Sequence, residues 1–222
     1  MSNARAIAIY GAGGFAREVA WLLSNRQNRT ETLEFVGYVD DAAKQGPQHH
    51  GWPVLSWEEF RKKYSAGNCL LSIAIGEPRV RRRVVQKCSE EGFSFATLIH
   101  SSVAMSEHVQ FGPGCIICAG NIITVEIDIG EHVHINLDCT VGHDVTIGAF
   151  STLSPGVHVS GNVQIGGDVY VGTGATIING LPDRPLVIGN GTVIGAGACV
   201  TQDTESNSLY AGVPAALKKR YG

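Results

Sequence analysis

The adjacent residues His143 and Asp144 are the pair in this sequence best suited to proton-transfer chemistry. Imidazole is the usual general base near neutral pH, and a carboxylate beside it can fix its tautomer and raise its basicity. An adjacent His-Asp pair also occurs as two solvated residues at a corner of a chain. The pair is therefore a candidate catalytic base with its orienting acid, and its surroundings must decide between the two interpretations.

None of the other seven histidines is followed by an acid. Four of them belong to the repeat described below, and we expect all four on its surface: His134 and His158 at outward positions, His108 and His132 at corners. The remaining three, His49, His50 and His100, lie outside the repeat.

A second candidate site is the G-x-G-x-x-A segment formed by residues 11–16, which contains Gly11, Gly13 and Gly14. It follows the apolar run 6–10 and precedes a helical pattern that extends to about residue 26. At a strand-to-helix turn, glycines let a phosphate approach the backbone, and the helix N-terminus attracts the anion. A tight turn without a ligand is the alternative.

Two further strands should lie beside this turn. Residues 35–39 end in Asp40-Asp41, where an acid could reach a ribose hydroxyl or a base edge, and residues 69–75 precede a helix that carries an arginine cluster. The cluster of Arg79, Arg81, Arg82 and Arg83 could contact a phosphate, but we interpret each single arginine as solvated, as most of a charged helix face is. The pattern predicts an alternating β/α sheet with its ligand at the carboxyl ends of the strands.

The size of this first region limits the ligand. A bound dinucleotide normally spans two mononucleotide-binding halves, and about one hundred residues supply only one. A mononucleotide, or the nucleotide part of an activated sugar, therefore fits better than NAD. We place this domain at residues 1–100 and expect a last strand over 93–99, followed by a short junction that holds the two domains in a fixed relation.

From residue 105 onward, an apolar residue returns every six positions. The series is Met105, Phe111, Ile117, Ile123, Ile129, Ile135, Val141, Ile147, Leu153, Val159, Ile165, Val171 and Ile177, and it resumes as Ile188, Ile194 and Val200. A period of six fits a short strand followed by a tight corner, and the glycine that often follows the apolar residue should supply positive φ there. Three such rungs close a coil of eighteen residues, which predicts a parallel β-helix of about five coils over residues 101–222.

The repeat register gives His143 a neighbour. Gly161 comes eighteen residues later, so its backbone should lie one coil above the imidazole, where a free N–H could hold a thioester carbonyl and its oxyanion. Thr152 lies half a coil away, and only a neighbouring subunit could bring it to this site. Residues 178–185 interrupt the repeat and should form a loop that leaves a corner beside the upper coils.

Composition excludes several functional classes. The chain has 222 residues and a net charge of −3, which argues against nucleic-acid or membrane-surface partners. No apolar run approaches the length of a membrane span and no signal peptide is visible, so we expect a cytoplasmic protein. The six cysteines are scattered, and the one CxxC, Cys115 to Cys118, lacks the partners of a zinc site. We therefore expect no metal, a reducing compartment, and buried thiols at Cys115 and Cys139.

Nearly the whole chain resembles the bacterial sugar acyltransferases that include sialic acid O-acetyltransferases and N-acetyltransferases of nucleotide-linked 4-amino sugars. The resemblance runs from GAGGFA through NLDCTVGHDVTIGAFSTLSPGVHVSGNVQIGG to GVPA near the end. It implies a Rossmann-like α/β N-terminal domain, an all-β C-terminal left-handed parallel β-helix, and a homotrimer.

The same resemblance implies roles for individual residues. His143 is the base, Asp144 orients it, and Gly161 binds the acetyl carbonyl. Some members of the family carry a second histidine at the position of Thr152, and we assign Thr152 and Thr173 to acetyl-CoA along with Gly161. Residues Gly11, Gly13, Gly14, Asp40 and Asn136 are assigned to the nucleotide sugar.

Two further features agree with the acetyl-CoA that the resemblance implies. The loop formed by residues 178–185 could flank a pantetheine groove, and the basic residues Lys218, Lys219 and Arg220 could meet CoA phosphates.

We expect an acetyl-CoA-dependent N-acetyltransferase that acts on the amine of a nucleotide-linked 4-amino sugar by direct transfer, without a covalent acyl-enzyme. O-acetylation of sialic acid or another sugar is one alternative. A trimeric nucleotide-binding scaffold without catalytic activity is another. The sequence does not decide the sugar, the nucleotide base, or amine against hydroxyl as acceptor.

Overall fold

The computed structural model describes residues 4–27, 32–42 and 48–222, which form an N-terminal α/β domain packed on a C-terminal β-helix. Within these ranges, no helix is both long and apolar enough to span a membrane.

The N-terminal domain is built on one five-stranded sheet with the strand order β3-β4-β2-β1-β5. Its strands are β1 Arg5–Tyr10, β2 Leu33–Val39, β3 Gln48–His49, β4 Trp52–Leu55 and β5 Cys69–Ile73, and only β3 runs antiparallel to its neighbour. The helices are α1 Gly14–Ser24, α2 Trp57–Lys63 and α3 Pro78–Glu90. Parallel strands joined through helices confirm the Rossmann-like prediction.

Local signals explain where the helices begin. A capping box opens α2, in which the Ser56 side chain accepts from the Glu59 N–H and the Glu59 carboxylate accepts from the Ser56 N–H. The carboxylate of Glu77 caps α3, and Pro78 occupies its first position. Helix α1 has no side-chain cap, and its N-terminal N–H groups are left at the glycine-rich turn.

The C-terminal region is a left-handed parallel β-helix with three sheets, which we name by their surroundings. The docked sheet, which the N-terminal domain covers, contains β6 Leu98–Ile99, β9 Ile116–Ile117, β12 His134–Ile135, β15 Thr152–Leu153, β18 Tyr170–Val171, β21 Val193–Ile194, β23 Ser208–Ala211 and β24 Ala216–Arg220. The open sheet contains β7 Ala104–Met105, β10 Ile122–Ile123, β13 Thr140–Val141, β16 His158–Val159, β19 Thr176–Ile177 and β22 Cys199–Val200. The third sheet contains β8 Val109–Phe111, β11 Ile127–Ile129, β14 Val145–Ile147, β17 Val163–Ile165 and β20 Leu186–Ile188.

The six-residue series forms the core of the β-helix as predicted. From Ile117 to Val200 every member is buried, whereas Met105 and Phe111 are more exposed because they belong to the first coil, which has no coil below it. Cys115 and Cys139 are both fully buried in the same core. The interruption at 178–185 is a hairpin-like loop between β19 and β20, closed by backbone hydrogen bonds in both directions between Leu181 and Arg184.

The role predicted for the repeat glycines was wrong. A Cβ on Gly142 would lie 2.8 Å from the backbone nitrogen of Gly161 in the next coil, so the glycine is required by close stacking of the corners. Positive φ falls two positions later, where Asp144 has φ 56°. Asp and Asn tolerate this left-handed conformation better than most residues, which is why they recur at this position of the repeat.

Packing between the two domains is extensive. The segment expected as the last α/β strand makes one bridge to β5 through Phe95, and then Leu98–Ile99 pairs with β9 as the first rung of the β-helix. One apolar cluster joins Ile7 and Leu22 of the first domain to Ile116 of the second. The two domains therefore share a core, as the short junction predicted.

Three expected surface residues are buried in this interface. Arg81 has no exposed surface, and His132 and His134 are 2% and 1% exposed. His134 does point outward from the β-helix, but the N-terminal domain covers the docked sheet there, with Phe15 against its ring at 5.4 Å. The ring of His132 is enclosed by Phe95 and Phe150. The repeat predicts whether a side chain of the β-helix points inward or outward. It does not predict which outward side chains another domain covers.

Candidate active site

His143 and Asp144 lie at the corner between β13 of the open sheet and β14 of the third sheet. The imidazole Nδ1 is 2.7 Å from Oδ2 of Asp144. A carboxylate can only accept, so Nδ1 carries the proton and Nε2 keeps a free lone pair. Both side chains are more than half exposed. The pair is thus an oriented base that solvent or a substrate can reach.

The free nitrogen of this base faces the backbone of Gly161. A Cβ on Gly161 would lie 2.5 Å from Nε2 of His143, so a side chain there would displace the imidazole. The corners are tied together, because the Asn162 N–H donates to the His143 carbonyl at 3.0 Å. Among the described residues, the N–H of Gly161 has no hydrogen-bond partner. The predicted stacking of Gly161 over His143 is confirmed, and base and unpaired N–H share one corner.

The 178–185 loop lies above the same corner of the β-helix as His143 and Gly161. The Gly180 N–H donates to the Gly161 carbonyl at 3.0 Å, which places the loop one coil above Gly161 and two coils above the base. Beside it lies a cavity of about 350 Å³, whose lining includes Asn179, Leu181, Arg184, Thr201, Gln202 and Asp203. An extended group attached to an acetyl carbonyl at Gly161 would have room to continue along this corner.

The glycines of the glycine-rich turn differ in whether the fold requires them. Gly11 has φ 112°, and a Cβ there would lie 2.9 Å from the Ala74 carbonyl oxygen, so this position requires glycine for folding. Gly13 has φ −79°, which any residue adopts, and a Cβ there would meet nothing within 4 Å. Gly13 and Gly14 are exposed at the N-terminus of α1. The open space over Gly13 is where an anion would approach.

The two acids after β2 have different environments. Asp41 accepts from Tyr10 Oη at 2.7 Å and from Lys87 Nζ at 2.7 Å. Burial and the Asp41 carboxylate raise the pKa of Tyr10 well above its ordinary value, so the phenol remains a donor. Asp40 Oδ1 accepts from the Ala42 N–H at 2.9 Å, and its side chain remains partly exposed at the end of the strand. No sequence signal pointed to the Tyr10 and Lys87 contacts, because they join residues 31 to 77 positions apart.

The remaining candidates lie away from the base within one chain. Asn136 and Thr173 lie at corners between the docked and open sheets, and the Thr173 side chain is exposed. Thr152 is 3% exposed beneath the N-terminal domain, and its hydroxyl is bonded to the Gly76 carbonyl and to Arg81. Because its own chain covers Thr152, a neighbouring subunit could not bring it to an acetyl group, contrary to expectation. The open sheet separates Asn136 and the glycine-rich turn from His143.

Comparison with known proteins shows what this arrangement belongs to. Residues 6–88 match the family described as the PglD N-terminal domain. The chain is 32% identical over 188 residues to GDP-perosamine N-acetyltransferase of Escherichia coli O157:H7, which covers 82% of each protein. The chain belongs to the nucleotide-amino-sugar N-acetyltransferase family.

Solved structures of the same fold agree with this assignment. WeeI from Acinetobacter baumannii AYE has a TM-score of 0.89 and 33% identity, covering 96% of this chain and 99% of that one. PerB from Caulobacter crescentus, in complex with CoA and GDP-perosamine, has a TM-score of 0.82 and 31% identity, covering 96% and 97%. The acetyltransferase therefore shares both of its domains with these relatives.

Within the described ranges, no group of three or more His, Cys, Asp or Glu side chains of the acetyltransferase could hold a metal ion. At the C-terminus, Arg220 is paired with Glu205 at 2.6 Å and Lys219 lies over the Tyr221 ring, both at the end of the docked sheet. Their expected contact with CoA phosphates remains a prediction.

Proposed function

We propose that this acetyltransferase moves the acetyl group of acetyl-CoA to the amine of a nucleotide-linked 4-amino sugar, with His143 as the general base. The observation that carries the proposal is the corner at which Nε2 of His143 lies against the backbone of Gly161, while Asp144 holds the opposite ring nitrogen. The names and ligands of the Escherichia coli and Caulobacter crescentus relatives support the substrate class.

The geometry suits direct transfer. The sugar amine attacks the thioester carbonyl, the C–N bond forms, and the Gly161 N–H stabilises the oxyanion. His143 Nε2 takes the proton from the attacking nitrogen, the C–S bond breaks, and CoA leaves as the thiol after accepting a proton. Asp144 stabilises the imidazolium that forms between these steps.

A cysteine nucleophile finds no support here. Five of the six thiols are buried, and burial raises the pKa of Cys115 to about 12 and that of Cys139 to about 11. Thiols with such pKa values are poor nucleophiles near neutral pH. The same six unpaired cysteines fit a reducing, cytoplasmic location, which we include in the proposal.

The site is completed across a homotrimer in this proposal. The outward side chains of the open sheet include no Lys, Arg, Asp or Glu: Ala104, Ile122, Thr140, His158, Thr176 and Cys199. If three open sheets pack around an axis, the corner with Asn136 and the nearby glycine-rich turn of one chain lie against the corner with His143 of the next. The acceptor bound by Gly13, Gly14 and Asp40 could then present its amine to a neighbouring base.

The experiment that tests the function measures thiol release from acetyl-CoA with GDP-, UDP-, CMP- and dTDP-linked 4-amino sugars, beginning with GDP-perosamine. A thermal-shift panel of the same compounds identifies the nucleotide, since a ligand at 100 times its Kd stabilises the native state by about 2.7 kcal/mol. His143→Ala should lower kcat by about 10²–10⁴-fold, the usual loss for a general base.

Near-full activity of His143→Ala would remove this residue from the mechanism. Thiol release with free sialic acid, and none with nucleotide-linked amines, would indicate the O-acetyltransferase alternative. Nucleotide binding without any thiol release would indicate a scaffold.

A further inference from the structure

Arg81 is the most deeply buried charged residue in the described part of the chain, and it lies between the two domains. Its Nη1 donates to the carbonyls of Ile75 at 2.7 Å and Gly76 at 3.1 Å, both at the end of β5. Its Nη2 donates to the carbonyls of Phe150 at 2.5 Å and Ser151 at 3.2 Å, at a corner of the β-helix. One guanidinium thus donates hydrogen bonds to backbone carbonyls of both domains.

Two side chains of the docked sheet complete this contact. Arg81 Nη1 lies 3.1 Å from His134 Nδ1, and Nη2 lies 3.0 Å from the Thr152 hydroxyl. Burial and the nearby Arg81 charge lower the pKa of His134 well below its ordinary value, so the ring is neutral and accepts the hydrogen bond. The Thr152 hydroxyl in turn donates to the Gly76 carbonyl at 3.0 Å.

No carboxylate forms an ion pair with Arg81 among the described residues, and this absence makes its burial informative. Removing a charge from water is costly, and apolar residues of similar volume often replace buried ionic groups without loss of stability. Buried polar groups in several proteins instead fix one arrangement of packed elements. A guanidinium with its donors spread in a rigid plane is well suited to fix four carbonyls at once.

The segments that Arg81 joins are close in sequence or in space to the two parts of the candidate site, the glycine-rich turn and the corner with His143. On one side, Gly76 follows Ala74, whose N–H donates to the Tyr10 carbonyl at 2.8 Å and whose carbonyl abuts Gly11. On the other side, residues 150–152 follow β14, the strand that begins immediately after Asp144. The acceptor turn and the coil of the base are therefore connected through Arg81 by a short run of backbone.

We infer that Arg81 is a positioning residue that sets the glycine-rich acceptor turn relative to the β-helix of its own chain, and, through the packing of the open sheets, relative to His143 of the neighbouring chain. This inference rests on the proposed function. Arg81 touches neither substrate. Its effect is on the alignment of two substrates that are each bound elsewhere, and misplacement of about 1 Å at a distance can cost about 10²-fold in rate.

A second contact between the domains provides a comparison. Arg82 pairs with Asp168 at 2.7 and 3.0 Å and lies over the Phe150 ring, but it is about half exposed to solvent. Exposed ion pairs contribute little and their side chains adjust readily. Arg83, the next residue on α3, is also exposed and makes none of the Arg81 contacts.

The test compares full-length Arg81→Met, Arg81→Lys and Thr152→Val with Arg83→Met as the matched control. Steady-state kinetics use acetyl-CoA and GDP-perosamine, or the nucleotide sugar with the highest turnover in the panel above. Calorimetry measures the Kd of CoA and of the corresponding nucleoside diphosphate separately. Arg81→Met should lower kcat by about 10- to 100-fold while both Kd values stay within about twofold. Thr152→Val should act in the same direction by a smaller factor, Arg81→Lys should fall between, and Arg83→Met should match the wild type.

A purely structural role would lower the melting temperature without changing kcat per folded molecule. Unchanged kcat in folded Arg81→Met would therefore overturn the inference, as would a rise in both Kd values that accounts for the lost activity. If Arg81→Met does not fold, unchanged kcat in both Arg81→Lys and Thr152→Val overturns it equally. Absence of turnover in the wild-type protein would contradict the proposed function itself, whereas wild-type turnover with unaffected variants contradicts this inference alone.

Discussion

The proposed catalytic pair, His143 and Asp144, lies at an ordinary corner of the repeat. Asp144 occupies a position that has positive φ in successive corners, where Asp138, Asn162 and Asp168 also occur. A short acidic side chain is therefore favoured at that position by backbone conformation alone. What distinguishes this corner is the histidine before the acid and the bare backbone of Gly161 above it.

At the scale of single residues, Gly161→Ala tests the corner. Its Cβ would lie 2.5 Å from Nε2 of His143, so the imidazole must move and the oxyanion donor loses its alignment. We expect kcat to fall by about 10²-fold while the acceptor KM changes little, because the acceptor is held by the other domain. Steady-state kinetics with both substrates measure this.

Gly167→Ala is the matched control for that variant. Gly167 occupies the equivalent position one rung later, and its Cβ would lie 3.3 Å from the nearest atom, the Ala149 carbonyl oxygen. It should remain close to wild-type activity. Equal losses in both variants would indicate general damage to the β-helix and would contradict the role given to Gly161.

At the scale of elements, the turn between β1 and α1 contains one glycine that folding requires and one that leaves room for a ligand. Gly11 is fixed by its φ and by the Ala74 carbonyl, whereas Gly13 has an ordinary φ and open space above it. A sequence motif cannot separate these functions, because both positions read as glycine.

Gly13→Val should raise the acceptor KM strongly and leave the acetyl-CoA KM nearly unchanged. The branched side chain fits the backbone conformation but fills the space where a phosphate would approach the N–H groups of α1. The melting temperature should stay close to that of the wild type. Gly11→Ala, in contrast, should lower the melting temperature, since it adds a clash at positive φ. If Gly13→Val moved both KM values together, or neither, the turn would be a structural feature alone.

At the scale of the whole molecule, the open sheet is a face beside the candidate site whose outward side chains include no Lys, Arg, Asp or Glu. Its outward Ile122 is 50% exposed in the single chain. Exposed apolar residues on a flat face without charges are typical of an interface. Within one chain, this face lies between His143 and the glycine-rich turn. If open sheets of neighbouring chains pack together and complete the site, changes on this face should affect both assembly and activity.

If the proposed trimer packs through the open sheet, Ile122→Glu should yield smaller species and lower the activity, because three buried carboxylates near an axis would repel each other and lose their hydration. Sedimentation velocity at micromolar protein measures the assembly. Val187→Glu, at an outward position of the third sheet, is the matched control and should leave both properties unchanged. A variant at Ile122 that sediments like the wild type would place the interface elsewhere.

The interface between the domains should make the protein sensitive to acid. Burial, with the charges of Arg81 and Arg82, lowers the pKa of His132 from 6.5 to about 4. The unfolded chain therefore binds a proton that the folded chain does not between these pH values, so the free energy of unfolding falls as pH is lowered through this window. The loss should reach about 3 kcal/mol, and denaturant unfolding at pH 7, 6, 5 and 4 measures it.

His132→Gln should show a smaller loss over the same window, because its side chain does not titrate. Part of the dependence should persist, since the pKa of His134 is lowered in the same direction. A wild-type stability that is flat from pH 7 to 4 would contradict the neutral, buried state of His132.

The β-helix and the candidate catalytic corner could be predicted from the sequence, because both follow from a period. A repeat of six residues sets the strand register, and the register places Gly161 over His143 by counting alone. The strand, turn and helix around Gly11 and Gly13 are equally local, since glycines and a following apolar helix specify them within twenty residues. Cys115 and Cys139 were predicted as buried thiols by the same count.

Which faces of the β-helix are covered could be seen only in the three-dimensional structure. His132, His134 and Thr152 are buried because the N-terminal domain packs on the docked sheet, and Arg81 is buried because α3 lies against that same face. Docking of one domain on another depends on contacts between distant segments, such as Arg81 with Phe150, which no period or motif records. For the same reason, the corner glycines could be found from the repeat, but their close contact with the next coil could be seen only in three dimensions.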